Sequence, residues 1–521
     1  DTQMSLFKPQ RQAENAAAQA TCRPADVIPL KEQIIYGAAD LFGGGQAAFI
    51  SVILLAFFTN IIGIDAGIAG TVIMVSKIWD AIIDPSMGII SDNSRWSKLG
   101  RRKPYMIMGG ILIPFGLAIL FAPIQNFGAS SQVVWMVFAY IIYCSISSLS
   151  QVPYMAMSSD ISMDYRQRNR ANTWKLLFDI IAAGIFYLIP SLLWGMVTGE
   201  NATMSYTTFY FIIVFGFGLF FGIPLVIAGF TIKERAPFDP TEKKKFNIKD
   251  FFKCLTVKSY VWHLVMYVTA FLTLDMISAI AIYYTDYIGG AIDGVVVDLG
   301  FIQIDMGSIM IIAPLMVSAA IGIAISYVIK AKFSKQAAFR AGLPLYIIGA
   351  ILLACYQRSW PPILIPLFAM IMGFGFAGAQ SMPWLIFADT VDVAELKLGY
   401  RPTANMSGVM TFMRTLATAF GTGMVGWVLG GAGYIEPIVD ENGNSILQQQ
   451  PESVLVAIRV LIAVAVTVLL TLGFIASIKY RVTDKRLARI RYFVLKRNES
   501  GVESFTEEER AEYEDLKKKL C

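Results

Sequence analysis

The sequence has few charged residues and almost no histidine. Only 16% of its 521 residues are Asp, Glu, Lys or Arg, whereas soluble domains carry about a quarter. The five cysteines are scattered, and the single histidine, His263, has no cysteine near it at metal-ligand spacing. A membrane enzyme would need a nucleophile beside a base, or a metal cluster. These shortages argue against an enzyme and against a bound cofactor, and a net charge of only +5 gives no indication of nucleic-acid binding.

Long apolar runs recur along almost the whole chain. Hydrophobic residues make up 56% of the sequence, and the mean hydropathy is +0.58. Runs of about 20 apolar residues are long enough to cross the hydrocarbon core of a bilayer. The sequence therefore predicts an all-α membrane protein with twelve transmembrane helices. The predicted spans cover residues 34–62, 67–92, 104–123, 133–158, 170–197, 207–232, 259–287, 301–329, 337–356, 361–388, 402–430 and 453–479.

Basic residues lie in alternate connections between these spans. The basic connections are 95–103, 166–170, 233–249, 330–335 and 397–401. Because Lys and Arg concentrate in cytoplasmic loops, both termini are predicted to be cytoplasmic. The first 30 residues are polar and lack an apolar core, so we expect no cleaved signal. The predicted location is the bacterial cytoplasmic (inner) membrane.

A long polar connection, residues 233–258, divides the chain into two similar halves. The fourth span ends in PYMAMSSDISMDYRQR and the tenth in PWLIFADTVDVAELKLGYR, and both place proline, an aromatic residue, acids and then basic residues in that order. Two similar six-span halves are typical of a parallel-repeat transporter. The predicted division is an N-terminal cytoplasmic segment 1–32, an N-terminal half 33–232, a central loop 233–258, a C-terminal half 259–480 and a cytoplasmic tail 481–521.

Two aspartates lie four residues apart in the second span, in WDAIIDPSMG. Asp80 and Asp84 are one helical turn apart and therefore project to the same side. Pro85 cannot donate to the Ala81 carbonyl, which is left free nearby. Two carboxylates and a carbonyl form an oxygen-rich site that suits a small hard cation or a proton. The alternative is that both acids pair with basic residues and serve only packing.

Other polar residues also lie inside predicted spans. Ser148 lies in the small polar run CSISSLS and Gln151 follows it, where they could bind a ligand or simply join helices. Asp275 lies deep in the seventh span and Arg414 well inside the eleventh, and intramembrane charges are functional candidates by default. Arg414 is the expected counter-charge of the acid pair if the second and eleventh spans meet. Structural and functional roles stay equally open for four charged residues nearer the span ends: Asp40, Lys77, Asp179 and Asp305.

Together these residues resemble a known transporter family. The stretches WDAIIDPSMG, RWSKLGRRKP, AIYYTDYIGG and ADTVDVAELKLGYR are similar to the glycoside–pentoside–hexuronide:cation symporters of the major facilitator superfamily. The resemblance covers about residues 33–480. It implies two six-helix halves that alternately open a central site to each side of the membrane, and symport of a sugar or glycoside with a cation.

The resemblance also implies roles for individual residues. The candidate cation-binding residues are Asp80, Asp84 and Ser148. The candidate substrate-binding residues are Gln151, Tyr154, Lys175, Asp275, Gln380, Trp384 and Arg414. The candidate gating residues are Asp92, Arg95, Arg168, Asp389, Asp392 and Arg401. The implied partners are a small-molecule substrate, a coupling cation and the lipid bilayer, and the expected oligomeric state is a monomer.

The sequence departs from the family's melibiose permease at the sugar site. A lysine and an aspartate of the first helix are replaced by Gly43 and Gly44, and Gln151 stands in place of a sugar-binding aspartate. Met155 and Gln380 stand where the permease has tryptophans. These changes argue against melibiose as the substrate. They also leave an alternative open, in which a roomier and less polar cavity carries a lipid-like or other amphipathic solute.

A further departure concerns the coupling ion. Ile83 stands where the permease has an asparagine, so an amide ligand for sodium is missing. A sodium site needs about five or six oxygen ligands, and the acid pair, Ser148 and a freed carbonyl supply few of them. A proton needs only one carboxylate, and burial and a neighbouring like charge both favour the protonated form of such a group. We therefore expect H⁺ rather than Na⁺, with Na⁺ at Asp80 and Asp84 as the alternative.

Overall fold

The computed structural model describes residues 27–94, 99–162, 164–197, 204–235, 248–289, 296–298, 303–305, 309–439 and 445–521. Long helices dominate these residues, and eleven of them are long and apolar enough to cross a membrane. A twelfth, Thr403–Gly431, has 29 residues and packs among them. The predicted fold class, an all-α membrane protein with twelve transmembrane helices in two six-helix halves, is confirmed.

We number only the long helices. The first half contains α1 (Leu30–Ile61), α2 (Ala66–Asp92), α3 (Lys103–Leu120), α4 (Ala129–Asp160), α5 (Tyr165–Val197) and α6 (Tyr206–Thr231). The second half contains α7 (Lys258–Tyr287), α8 (Ile309–Lys332), α9 (Lys335–Cys355), α10 (Leu364–Leu398), α11 (Thr403–Gly431) and α12 (Glu452–Lys479). The tail forms α13 (Asp484–Ser500) and α14 (Glu507–Leu520).

Shorter elements fill the connections. A short helix, Ile248–Phe252, and a 3₁₀ turn, Lys253–Thr256, precede α7. The short strands β1 (Val296–Asp298) and β2 (Gln303–Asp305) pair antiparallel before α8. The strands β3 (Ile438–Val439) and β4 (Ser445–Ile446) pair in the same way between α11 and α12.

Two predicted boundaries are wrong. The eighth span was predicted from residue 301, but α8 begins at Ile309, because residues 303–305 pair with β1 instead of continuing a helix. The tenth span was predicted to end at residue 388, but α10 continues to Leu398 and ends at Gly399, whose φ of 82° favours glycine. As a result, the acids of ADTVDVAELK lie on a helix and not in a loop.

The two halves meet along a seam of small residues between α2 and α11. A Cβ atom on Gly426 would lie 2.5 Å from the Ala66 carbonyl oxygen, and one on Gly70 would lie 2.7 Å from the Gly423 carbonyl oxygen. Ala66 and Gly70, like Gly426 and Gly430, follow the small-xxx-small spacing that lets helix backbones approach closely in a membrane. This seam fixes the contact between the halves near the start of α2 and the end of α11.

Beside the seam, buried hydrogen bonds join the halves at what we call the closed end. Thr59 Oγ1 on α1 lies 2.7 Å from the Tyr283 hydroxyl on α7. The Tyr434 hydroxyl donates to Asn60 Oδ1 at 2.7 Å and lies 2.9 Å from the Tyr287 hydroxyl. All five side chains are buried. Because buried hydroxyls need partners, these bonds hold the halves together at this end.

The tail packs against the second half at the opposite end. Ser259 Oγ donates to the Leu520 carbonyl at 2.6 Å, and Lys397 Nζ lies 2.9 Å from the Cys521 carbonyl oxygen. The Tyr513 hydroxyl donates to the Leu396 carbonyl at 3.3 Å. The charged tail therefore forms two helices that cover one end of α7 and α10.

The seam predicts which glycines the fold needs. Gly426→Ala should lower the apparent melting temperature by a few degrees, because a methyl group forced against the Ala66 carbonyl costs about 1–3 kcal/mol of overpacking. The measurement is thermal unfolding of the purified protein in detergent. Gly431→Ala on the same helix is the control, since nothing lies within 4 Å of its added Cβ. Equal melting temperatures for the two variants would contradict this account of the seam.

Candidate functional site

The predicted cation-binding residues converge between α2 and α4. Ser148 Oγ donates to Asp84 Oδ1 at 2.6 Å and lies 3.3 Å from Asp80 Oδ1. The four-residue spacing on α2 turns both carboxylates to the same face, where α4 presents the hydroxyl. The structure thus brings the three residues together into one cluster of oxygen atoms.

Lys77 belongs to the same cluster. Its Nζ atom lies 3.1 Å from Asp80 Oδ2 and 5.8 Å from the centre of the Tyr140 ring. The side chains of Lys77 and Asp80 are only 19% and 15% exposed. From the sequence, structural and functional roles were equally open for Lys77, although its i−3 spacing from Asp80 is a usable signal for an ion pair. Two carboxylates and one ammonium group leave the cluster with a formal charge of −1.

A second cluster lies between α1, α4 and α5. Asp40 occupies a turn that interrupts α1 after Ala38, and its Oδ2 atom lies 3.8 Å from Lys175 Nζ. Lys175 also lies 5.5 Å from the centre of the Tyr154 ring. Asp40 Oδ1 and Gln151 Oε1 are buried and have no hydrogen-bond partner among the described residues. Buried polar atoms that lack a partner in the protein usually bind a ligand or an ordered water molecule.

The glycines of α1 do not enlarge this cluster. A Cβ atom on Gly43 would lie 2.6 Å from Asp40 Oδ1 and 2.7 Å from Gln151 Nε2, and one on Gly44 would collide with the Asp179 backbone oxygen. The expectation of a roomier, less polar cavity is therefore wrong at Gly43 and Gly44, whereas its part that concerns Met155, which is 44% exposed, stays a prediction. Polar groups fill the space that the missing side chains would have taken.

A third cluster lies between α7 and α11. Arg414 Nη2 lies 3.8 Å from Asp275 Oδ1, and Thr418 Oγ1 donates to Asp275 Oδ2 at 2.6 Å. The Arg414 guanidinium also lies 4.4 Å from the centre of the Phe271 ring. Trp384 on α10 packs edge-on against Phe271 at 6.3 Å and remains 51% exposed. Asp275, Arg414 and Trp384 thus form one polar and aromatic wall.

The predicted pairing of Arg414 with the acid pair is wrong in this conformation. The helices α2 and α11 do meet, but at Gly70 and Gly426. Arg414 lies twelve residues before Gly426, which is about 18 Å along the helix. Asp80 lies ten residues after Gly70, or about 15 Å, so both charges sit at similar depth. Each has its partner in its own half, Lys77 for Asp80 and Asp275 for Arg414.

Two predicted substrate residues serve helix packing. Gln380 Nε2 donates to the Ala270 carbonyl at 3.0 Å, which joins α10 to α7. The Tyr154 hydroxyl donates to the Tyr36 carbonyl at 2.8 Å, which joins α4 to α1. Tyr154 is fully buried, although its ring still forms part of the surroundings of Lys175.

Of the predicted gating residues of the first half, Asp92 belongs to an ion-pair cluster at the end opposite the closed end. Arg102 Nη2 lies 2.9 Å from Asp92 Oδ1, and Arg102 Nε lies 2.8 Å from Asp160 Oδ2. Burial lowers the pKa of the Arg102 guanidinium, and Asp160 and Asp92 oppose that shift. Arg168 is half-buried on α5 and forms no ion pair with another described residue. Arg95 lies outside the described residues.

The two acids among the predicted gating residues of the second half, Asp389 and Asp392, contact the tail. Lys335 Nζ lies 2.5 Å from Asp389 Oδ2, and Arg401 Nη1 lies 2.9 Å from Asp392 Oδ1. Arg491 on α13 contacts both acids, with Nη2 3.6 Å from Asp389 and Nε 2.7 Å from Asp392. The sequence analysis missed Arg491, because basic residues of a charged helix carry no signal of which acid they meet.

Comparison with known proteins gives a family and a fold. The family described as MFS/sugar transport protein matches residues 35–484. The putative glycoside/cation symporter YagG of Escherichia coli K12 is 25% identical over 470 residues, which cover 89% of this chain and 94% of that protein. The isoprimeverose transporter of Lactiplantibacillus pentosus is 23% identical over 436 residues, covering 81% and 86%. The putative sulfoquinovose importer of Salmonella typhimurium LT2 is 25% identical over 487 residues, covering 91% and 94%.

Solved structures share the fold at low identity. A crystal structure of a D-xylose–proton symporter matches with a TM-score of 0.55 and 12% identity, covering 86% of this chain and 95% of that one. The nucleoside transporter NupG matches with a TM-score of 0.52 and 14% identity, covering 87% and 100%. These likenesses support the helical arrangement described above.

The third cluster predicts a coupled pair of charges. Arg414→Gln should lower the apparent melting temperature in detergent, because it leaves the carboxylate of Asp275 without its cation. Asp275→Asn should also destabilise, and the double variant should recover part of the loss, since the two groups interact. Arg481→Gln, an exposed arginine between α12 and α13, is the control and should change little. Additive losses in the double variant would contradict the pairing.

Proposed function

The chain belongs to the family of MFS/sugar transport proteins, the glycoside–pentoside–hexuronide type of the major facilitator superfamily, and we propose that it is a cation-coupled symporter of a sugar-type solute. The observation that carries this proposal is the convergence of Asp80, Asp84 and Ser148 at the middle of two membrane helices. Intramembrane carboxylates are costly, and binding and releasing a cation is a function that justifies them.

The substrate class follows from the second and third clusters. The first half offers acceptor oxygens on Asp40 and Gln151 and the ammonium of Lys175. The second half offers the Arg414 guanidinium and the exposed ring of Trp384. Hydroxyl groups of a sugar can donate to the two acceptors, and an aromatic face can stack on a sugar ring. The filled space at Gly43 and Gly44 disfavours the lipid-like alternative.

The geometry favours H⁺ as the coupling ion. Lys77 already occupies one oxygen of Asp80, so fewer oxygens remain for a metal shell. Ile83, directly before Asp84, has an apolar side chain that supplies no ligand. A proton needs only one carboxylate oxygen, and Asp84 is placed to hold it beside the Ser148 hydroxyl. If cation and substrate bind the same conformation, each tightens the binding of the other by the same factor.

The conformation suggests how the site is exposed. The halves are joined by the seam and by the hydroxyl bonds at the closed end, whereas the ion pairs described at the other end lie within one half or bind the tail. We infer that this state is open towards the end that carries the tail. With both termini in the cytoplasm, it is the inward-facing state of a monomeric transporter in the bacterial inner membrane, and rocking of the two halves would open the other end.

The acid pair gives the main test. Asp84→Asn should abolish accumulation of a labelled sugar against its gradient in proteoliposomes, because the coupling carboxylate is gone, while leaving the protein folded. Isoprimeverose and sulfoquinovose are the first sugars to test, since relatives carry those names. Asp65→Asn is the matched control, because Asp65 caps the start of the same helix far from the cluster. Accumulation by Asp84→Asn at the wild-type level would refute the assignment.

Imposed gradients distinguish the two coupling ions. Uptake into vesicles should rise with an inward proton gradient in sodium-free buffer, because the cluster can bind a proton without assembling a metal shell. Acceleration by inward sodium at fixed pH, with no response to the proton gradient, would refute H⁺ coupling. It would leave cation symport itself standing.

A further inference from the structure

We propose that Lys77 determines the ion selectivity of the acid pair, and that its ammonium group keeps sodium-sized cations out of the site. This inference rests on the proposed coupling role of Asp80 and Asp84. It concerns a different residue, whose role can fail while the coupling role stands. The observation behind it is that a fixed cation already lies on one of the two carboxylates that a free metal cation would have to bind.

First, Lys77 already occupies one of the carboxylate oxygens of the acid pair. Lys77 Nζ lies 3.1 Å from Asp80 Oδ2, while Asp80 Oδ1 and Asp84 Oδ1 both face the Ser148 hydroxyl. A metal cation placed between those two oxygens would share Asp80 with the ammonium group. Two like charges on one carboxylate repel strongly at such separations, since little water is present to screen them.

The second step is the confinement of Lys77. Its ammonium group lies over the ring of Tyr140, and the neighbouring Tyr143 and Cys144 are also buried on α4. The side chain is 19% exposed, so it has little room to withdraw to water. An ammonium group removed from Asp80 would lose its described ion partner in a poorly hydrated place, which is costly. The lysine is therefore a resident cation and not a mobile one.

The third step is the difference between a proton and a metal ion. The formal charge of −1 that remains beside Lys77 can be neutralised by one proton on Asp84. That proton needs a single oxygen and fits next to the Ser148 hydroxyl. Sodium needs about five or six oxygen ligands at once, and the lysine removes one of the few that the cluster has. The ammonium group of Lys77 thus disfavours sodium relative to a proton in two ways: it repels the metal ion, and it reduces the number of oxygen ligands that remain for it.

Removal of the charge tests the proposal directly. Lys77→Met retains the length of the side chain beside Tyr140 and removes the ammonium group. The purified full-length protein is assayed for equilibrium binding of radioactive Na⁺ alone, at alkaline pH, where protons compete little. We expect the Na⁺ affinity of Lys77→Met to exceed that of the wild type by about tenfold or more, since a neighbouring like charge has been removed. Lys77→Arg should bind Na⁺ as poorly as the wild type.

The controls separate this inference from the proposed function. Lys175→Met removes an ammonium group from the second cluster and should not raise Na⁺ affinity. If Lys77→Met does not fold, Lys77→Gln serves as the second variant, with folding checked by gel filtration. Na⁺ binding by the wild type as tight as by a folded neutral variant would overturn the role of Lys77. Loss of proton-driven sugar accumulation in Asp84→Asn would still support the coupling site in that case.

Discussion

An ionised side chain at the centre of a bilayer costs at least about 2.5–3.5 kcal/mol, so each such charge in a membrane protein needs a partner close by. Here the partners lie within one half. Lys77 lies beside Asp80, Lys175 beside Asp40, and Asp275 beside Arg414. In these three ion pairs both partners belong to the same half, so the halves can separate at mid-membrane without breaking any of the three.

The contacts that do join the halves are of another kind. The seam between α2 and α11 consists of backbone atoms brought close by Ala66, Gly70 and Gly426, and the closed end adds hydrogen bonds between neutral side chains. Van der Waals contacts and neutral hydrogen bonds are weaker than buried ion pairs and can be exchanged for water or lipid at small cost. The ion pairs thus lie within each half, whereas neutral contacts hold the halves together.

Much of this architecture could be predicted from the sequence, since hydropathy depends on composition over about 20 residues and needs no tertiary information. The convergence of Asp80, Asp84 and Ser148 also followed from helical spacing and from the family resemblance. The partner of Arg414 did not, because it depends on where α2 and α11 touch, which the sequence does not specify. The close approach of neighbouring side chains to Gly43 could not be predicted for a similar reason. A glycine marks either open space or a close neighbour, and only the positions of Asp40 and Gln151 decide which.

The start of α8 illustrates another limit. The apolar stretch from residue 301 resembles a membrane span by composition, but part of it pairs as a strand with residues 296–298. The sequence also did not predict that the tail packs against α10, because the contacts of Arg491 with Asp389 and Asp392 arise from tertiary packing. Local patterns predicted the elements, whereas the contacts between distant elements required the structure.

The hydroxyl bonds at the closed end carry a physical consequence of their own. Opening that end would replace the bonds of Thr59, Asn60 and Tyr434 by bonds to water, and would hydrate side chains that are now buried. The balance between the two conformations therefore depends on the activity of water. Solutes that are excluded from the protein surface favour the less hydrated state, so osmotic stress would shift the balance towards the conformation in which these bonds are formed.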